Sequence, residues 1–331
     1  MGSAMATDMI PPAHAPDFLA AHGWAGAAIE PLAGDASFRR YFRILHGQRR
    51  AILMDAPPPH EDPRPFVAVA RWLSARDFGA PAILAADEAR GLVLLEDFGD
   101  RRMRETVDAD AATLVPLYEA AVDVLVALRG HPADNLRPYD RAELHREAQV
   151  LTEYYCPAVG LSVDLDSYRA AWDEVFARAL TDAPVTVLRD YHAENLMLVG
   201  DSNRLGLLDF QDALAGHPAY DLVSLLQDAR RDVEPSIEEA MLRRYRAATG
   251  EGEAFMDAYH VLGAQRNAKI VGVFTRLWKR DGKPRYPALC PRVWGYLERD
   301  LSYPVLAPVA RWFAANIPPE LRGDPMVLAR A

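Results

Sequence analysis

Three short apolar runs, Val185-Thr186-Val187-Leu188, Leu196-Met197-Leu198-Val199 and Leu205-Gly206-Leu207-Leu208, interrupt a second half that otherwise reads as helix. Each run is too short for a helix and is bounded by turn residues, so the pattern predicts three strands inside a helical regime. The joint between the second and third, Gly200-Asp201-Ser202-Asn203-Arg204, is hairpin chemistry, rich in residues that tolerate positive φ. If Val199 faces Leu205, the antiparallel register sets Asn195 opposite Asp209, and directly opposed residues have Cβ atoms about 4.5–5.5 Å apart. An amide oxygen and a carboxylate then converge at the open end of the hairpin. Hard oxygen donors gathered this way suit Mg²⁺, which takes one or two protein carboxylates and fills its other positions with water or phosphate.

The rest of the chain divides by period. From Ile29 to about Asp97 the residues alternate as strands do: Phe38, Tyr41, Phe42 and Ile44, then Ala51-Ile52-Leu53-Met54, then Leu92-Val93-Leu94-Leu95. A helical stretch near 66–78 lies between the last two. After Gly99 the period becomes 3.6, with Leu114, Leu117, Val122, Leu125 and Leu128 on one face, and further helices are predicted over 141–155, 167–180 and most of 221–313. The expectation is an α+β fold of two lobes: a small sheet-dominated N-lobe over 29–98 and a larger helical C-lobe over 99–331. Residues 1–28 hold an opening that reads as a tag remnant, followed by a helical segment.

Half of the 331 residues are apolar, ample for buried cores, and the formal net charge is −10. Such an acidic chain has no basic field to collect nucleic acid. Cys156 and Cys290 lie far apart, outside any metal-ligand spacing, and read as reduced thiols packed in a core. No run appears long enough for the ~18 apolar residues of a membrane span, and no signal peptide opens the chain, so a soluble cytoplasmic protein without a membrane partner is expected.

Five residues before Asn195 stands Asp190, so the segment reads Leu188-Arg189-Asp190-x-x-x-x-Asn195. This is the spacing of a kinase catalytic loop, with Leu188 where the usual His would be. At the end of a strand, the Asp190 carboxylate is placed to accept the proton of an incoming hydroxyl. Asp209-Phe210-Gln211 stands where kinases carry Asp-Phe-Gly. Together with Gly34-Asp35-Ala36-Ser37-Phe38-Arg39-Arg40-Tyr41, Leu53-Met54-Asp55-Ala56-Pro57-Pro58, Leu94-Leu95-Glu96-Asp97-Phe98-Gly99, Asp190-Tyr191-His192-Ala193-Glu194-Asn195 and Gln265-Arg266-Asn267-Ala268-Lys269, these residues resemble the aminoglycoside-phosphotransferase-like kinases. Within that family the chain is most similar to the anomeric N-acetylmuramate/N-acetylglucosamine kinases of cell-wall recycling. The resemblance implies a protein-kinase-like fold, ATP seated between the lobes, Mg²⁺ on Asn195 and Asp209, and Asp190 as base toward the C1 hydroxyl of an amino sugar. Other acceptors (an aminoglycoside, choline, ethanolamine, homoserine) and a non-catalytic nucleotide-binding pseudokinase stay open.

The chain also departs from the kinase pattern. Asp97-Phe98-Gly99 precedes the catalytic loop instead of following it, so Glu96, Asp97 and Phe98 read as a hinge that holds adenine. The third strand ends in Met54 where a phosphate-binding Lys is expected, and the helix after it lacks the partner Glu. Ser37 of the phosphate loop and the arginines that follow, Arg40 and Arg43 with Arg39 beside them, are the replacements on offer, because guanidinium forks suit phosphate oxygens. Expected acceptor contacts are Glu147, Gln211, Asp212, Arg266, Asn267 and Lys269. A cation, Arg266 or Lys269, would match the carboxylate of a muramate. Glu147 reads equally as a solvated helical glutamate, and Arg266, Asn267 and Lys269 as a cluster at a helix start. His192 reads as a packed structural histidine, and Asp221 as the cap of the helix that follows.

Overall fold

The computed structural model describes residues 10–330 except 33–37, 134–135, 181–182 and 201–203, and without the side chains of 178 and 179. The chain divides into two compact units, residues 1–113 with 194–212, and residues 114–193 with 213–331.

In the first unit, helix α1 (Ala15–Ala21) precedes strands β1 (Ala28–Leu32), β2 (Arg40–His46) and β3 (Arg49–Asp55), then helix α2 (Arg64–Ser74) and strands β4 (Ile83–Asp87) and β5 (Leu92–Leu95). The sheet is antiparallel in the order β1-β2-β3-β5-β4. The two-residue period decides its faces. Phe42 and Ile44 of β2 stand opposite Leu53 and Ala51 of β3, and with Leu92 and Leu94 they are buried against Phe18, Leu19 and Trp24. Burying each large apolar side chain contributes about 1.5–3 kcal/mol. Tyr41 and Arg43 therefore project from the opposite face. β4 completes the sheet; it and β1 are the strands that the sequence pattern did not isolate. Phe38 lies outside β2 and is exposed, its ring stacked on His60 at 5.3 Å.

Helix α3 (Met103–Ala109) and the hairpin of β7 (Leu196–Leu198) and β8 (Leu205–Leu207) belong to the same unit; β6 (Val185–Val187) precedes the hairpin in the chain but belongs to the second. The hairpin is docked by main-chain bonds, Leu198 N–H to the Arg101 carbonyl and Leu207 N–H to the Gly79 carbonyl, both 2.8 Å. Gly79 permits that approach: a Cβ there would lie 2.1 Å from the Leu205 oxygen. The register corrects the sequence reading. Leu198 faces Leu205 and Leu196 faces Leu207, one residue off the expected pairing, so Asn195 is not directly opposite Asp209. The turn residues 201–203 lie outside the described part.

The second unit holds α4 (Leu114–Arg129), α5 (Arg141–Ala148), a π-helical turn over Leu151–Tyr155, α6 (Cys156–Ala158) and α7 (Leu165–Ala179). After β6 come its partner β9 (Leu214–Gly216), α8 (Ala219–Leu226), α9 (Pro235–Thr249), the 27-residue α10 (Glu253–Lys279), α11 (Cys290–Leu301), α12 (Ala307–Asn316) and α13 (Pro325–Leu328). The helix expected over 141–155 is thus broken by a π turn. At that place Gly272 of α10 lies against the Val150–Leu151 backbone, where a Cβ would come 2.4 Å from the Val150 carbonyl carbon. Two backbones meet because neither carries a side chain between them.

Contrary to the sequence reading, one helix among the described residues, 111–129, is long and apolar enough by composition to cross a membrane, with a mean hydropathy of 1.7. Its Leu117, Tyr118, Ala121, Val122, Leu125 and Leu128 are buried, while Asp123 pairs with Arg244 of α9 at 2.7 Å. Cys156 and Cys290 are free and buried. Gly272→Ala should cost about 1–3 kcal/mol through overpacking, read as a lower urea midpoint at unchanged slope.

Candidate active site

The end of β6 is held by a single carboxylate. Asp221 sits in the first turn of α8, whose N-cap is Pro218, and it does not cap that helix as expected. Instead it accepts the Leu188 N–H at 2.6 Å and the Arg189 N–H at 2.8 Å. Successive N–H groups turned toward one anion form a nest. Arg189 makes this possible by adopting φ 73°, a left-handed conformation that costs about 1–3 kcal/mol in a non-glycine residue. Burial pushes the Asp221 carboxyl up to about 7, against the lowering effect of the two N–H donors.

Asp190 follows immediately, half-buried, with its N–H donating to the Leu188 carbonyl at 2.9 Å. Burial alone would raise its carboxyl. The charges of Lys269, His192, Arg266 and Arg189 outweigh burial and hold it below the ordinary aspartate value, hence ionised at neutral pH. Beside it, Glu147 takes hydrogen bonds from Tyr139, Arg189 and, at 2.8 Å, Lys269. Glu147 shares the buried side of α5 with Leu144 and Ala148 and is not the solvated glutamate that the sequence allowed. Burial would raise its carboxyl, but Lys269 and Arg189 bring it down to about 2.

In the first unit, Asn195 Nδ2 lies 3.4 Å from Asp209 Oδ2, and Gln211 Nε2 donates to Asp209 Oδ1 at 2.8 Å. The pair meets despite the shifted register. Asp209 takes φ 58°, and the Leu208 N–H bonds the Asn195 carbonyl at 3.0 Å, so the strand bends back at its end. One exposed carboxylate and one amide fit Mg²⁺ that draws its remaining ligands from water and phosphate, and turning the amide presents its oxygen. Among the described residues no cluster of three or more His, Cys, Asp or Glu offers a closed metal cage. Behind the pair, Phe210 is fully buried and stacks on Phe66 of α2 at 4.9 Å.

The other expected site residues fall in varied places. Ser37 lies outside the described residues. Arg40 projects on the α1 face, bonded through Nε to the buried Asp55 at 2.8 Å and through Nη1 to the Ile10 carbonyl at 3.1 Å. Arg43 is shared between Asp97, at 2.9 Å, and Asp100, at 2.7 Å. The Glu96 N–H donates to the Ala82 carbonyl at 2.9 Å and its carboxylate accepts the Ala82 N–H at 3.2 Å, while the Phe98 ring fills the space over Gly206. Arg266, Asn267 and Lys269 do not start a helix but lie in the middle of α10. Arg266 is buried and donates to Ser224 at 2.8 Å. Asn267 is buried and donates to Gln227 at 2.6 Å, in a network with Asp300 and His260. Lys269, by contrast, keeps a side chain 20% exposed. Gln211 is half-buried and Asp212 exposed. His192 is buried, as expected, and its Nε2 lies 3.2 Å from Arg230, a residue that sequence reasoning passed over. Asp221 was legible as important only through its position in the otherwise apolar run Ala219-Tyr220-Asp221-Leu222-Val223, where a carboxylate has to find buried donors.

Known proteins are similar to this chain over most of its length. An N-acetylmuramate/N-acetylglucosamine kinase of Caulobacter vibrioides is 39% identical, over 92% of this chain and 96% of its own. One of the same name from Pseudomonas aeruginosa is 40% identical over 86% and 87%. Among solved structures, the ADP-bound aminoglycoside phosphotransferase APH(2'')-Ib superposes with a TM-score of 0.56 at 14% identity, over 86% of this chain and 94% of that one, a likeness of fold that is protein-kinase-like. Residues 28–259 match the profile of the phosphotransferase enzyme family, and with relatives this similar over most of its length the chain belongs to that family.

Proposed function

We propose that this phosphotransferase is an ATP- and Mg²⁺-dependent kinase that phosphorylates the C1 hydroxyl of N-acetylmuramate and N-acetylglucosamine. The observation that carries the reading is Asp190: a half-buried, ionised carboxylate on a loop pinned by Asp221, five residues ahead of the Asn195 that pairs with Asp209. Names of relatives 39% and 40% identical support the sugar as acceptor.

In this mechanism Asn195 and Asp209 hold the metal, and Gln211 orients the Asp209 carboxylate through its amide. Bound Mg²⁺ supplies neutralisation of the phosphate charge. Asp190 accepts a hydrogen bond from the sugar hydroxyl and takes its proton as the oxygen attacks the γ-phosphorus and the bond to ADP breaks. Because its carboxyl is held low, Asp190 is a weak base that orients more than it pulls, which suits a loose transition state in which positioning and electrostatics do most of the catalysis. Lys269, the partly exposed cation beside Glu147, is the group suited to an acceptor's carboxylate. Arg266 and Asn267 serve it from behind by fixing α10 to α8.

Asp190→Ala and Asp209→Ala should each lower kcat by at least a thousandfold. Only Asp209→Ala should weaken Mg²⁺-dependent nucleotide binding, measured by titration calorimetry; equal weakening in both contradicts this division of roles. A screen of ATP consumption should show turnover with N-acetylmuramate and N-acetylglucosamine and little with choline, ethanolamine, homoserine or an aminoglycoside. The sugar phosphate formed should be hydrolysed by mild acid as an anomeric phosphate is; an acid-stable product would place the phosphate on another hydroxyl.

A further inference from the structure

A kinase site normally has a cation on its third strand, held by a glutamate of the following helix, to meet the nucleotide phosphates. Here β3 carries no lysine and α2 no glutamate. We propose that Arg39, held by Glu61, takes the place of that pair and contacts the phosphates of the bound nucleotide. This rests on the reading of the chain as an ATP-dependent kinase.

Three observations within the first unit converge on it. First, Arg39 Nε lies 3.5 Å from Glu61 Oε2, and Glu61 stands on the segment that leads into α2. The neighbouring residues stack, Phe38 on His60, so two consecutive contacts fasten the approach to β2 against the approach to α2. A carboxylate near the start of this helix thus steadies a cation near the start of β2.

Second, the strand alternation sets Arg40 apart from Arg39 and Arg43, and the ion pairs distinguish the last two. Arg40 shares the face of Phe42 and Ile44, where Asp55 and the Ile10 carbonyl take its donors. Arg43 lies between two carboxylates, Asp97 and Asp100, the first of which also pairs with Arg50. Arg39 lies on the side of Tyr41.

Third, that side is where the proposed metal-binding carboxylate acts. The Tyr41 phenol is hydrogen-bonded to Arg39 and lies within range of the charges of Arg39, Asp209 and Glu61. A guanidinium bonded to a phenol that lies within range of the proposed metal-holding carboxylate is suited to the phosphate oxygens that the metal would bind.

The test compares nucleotide affinity, by calorimetry with Mg²⁺ present, for ATP and for adenosine, which lacks the phosphates. Arg39→Ala should weaken ATP at least tenfold and leave adenosine within about twofold. Arg39→Lys should recover part of the loss, and Glu61→Gln should weaken ATP severalfold. The loss should be larger for Arg39→Ala than for Arg40→Ala. Unchanged ATP affinity in Arg39→Ala, equal losses for ATP and adenosine, or the larger loss at Arg40 overturns the inference. Should Arg39→Ala fail to fold, Arg39→Lys and Glu61→Gln decide: ATP affinity unchanged in both refutes it. If the unaltered protein binds no ATP, the kinase reading falls first, and separately.

Discussion

Two main-chain N–H groups, those of Leu188 and Arg189, converge on one buried carboxylate, and the direction in which Asp190 leaves its strand depends on that convergence. The arrangement is costly. A carboxyl raised to about 7 from an ordinary 3.8 binds its proton more tightly in the folded protein than in the unfolded chain. The stability tied to Asp221 is therefore full below about pH 4 and is lost as the pH rises through 7. Glu147 has the opposite sign: lowered to about 2, its contribution is present above its ordinary value of 4.5 and is lost as the pH falls through 2. The protein tolerates an expensive anion behind the loop and surrounds the loop's flank with cations, and Asp190 stays charged between them.

Charge placement also explains which polar residues can reach a substrate. Arg189 and Lys269 share Glu147, so this group of three carries a net positive charge beside Asp190. Arg266, one turn before Lys269 on α10, is sealed in the core and acts through its field and its bond to Ser224. In the first unit the carboxylates Asp55, Asp97 and Asp100 engage Arg40 and Arg43, while Arg39 pairs with Glu61 beside Tyr41, a phenol within range of the Asp209 charge.

Much of this was legible in the sequence. The change from two-residue to 3.6-residue periodicity marked the sheet and the helices, and the Asp-x-x-x-x-Asn spacing with Asp209 beyond a hairpin marked the candidate site. What escaped detection has physical reasons. The hairpin register slipped by one because several polar turn geometries fit the same five residues, and the left-handed backbone of Asp209 repairs the slip in a way that spacing cannot reveal. The π turn after α5 answers to a glycine 122 positions away from Val150, a contact invisible to local pattern. Arg266, Asn267 and Lys269 looked like a helix start because polar residues in mid-helix are ordinarily solvated; here two of the three are buried and donate hydrogen bonds to α8 and α11. Asp221 was misread as a cap because sequence shows which donors are adjacent in the chain, and its donors are 32 and 33 residues away.

The clamp on the loop can be measured directly by amide hydrogen exchange at Leu188 and Arg189. Both amides should exchange in the unaltered protein only as slowly as the buried amides of helix 219–226, and in Asp221→Ala they should exchange at least a hundredfold faster while a folded core persists. Free exchange of these two amides in the native protein, or protection that survives loss of the Asp221 carboxylate, would contradict the account.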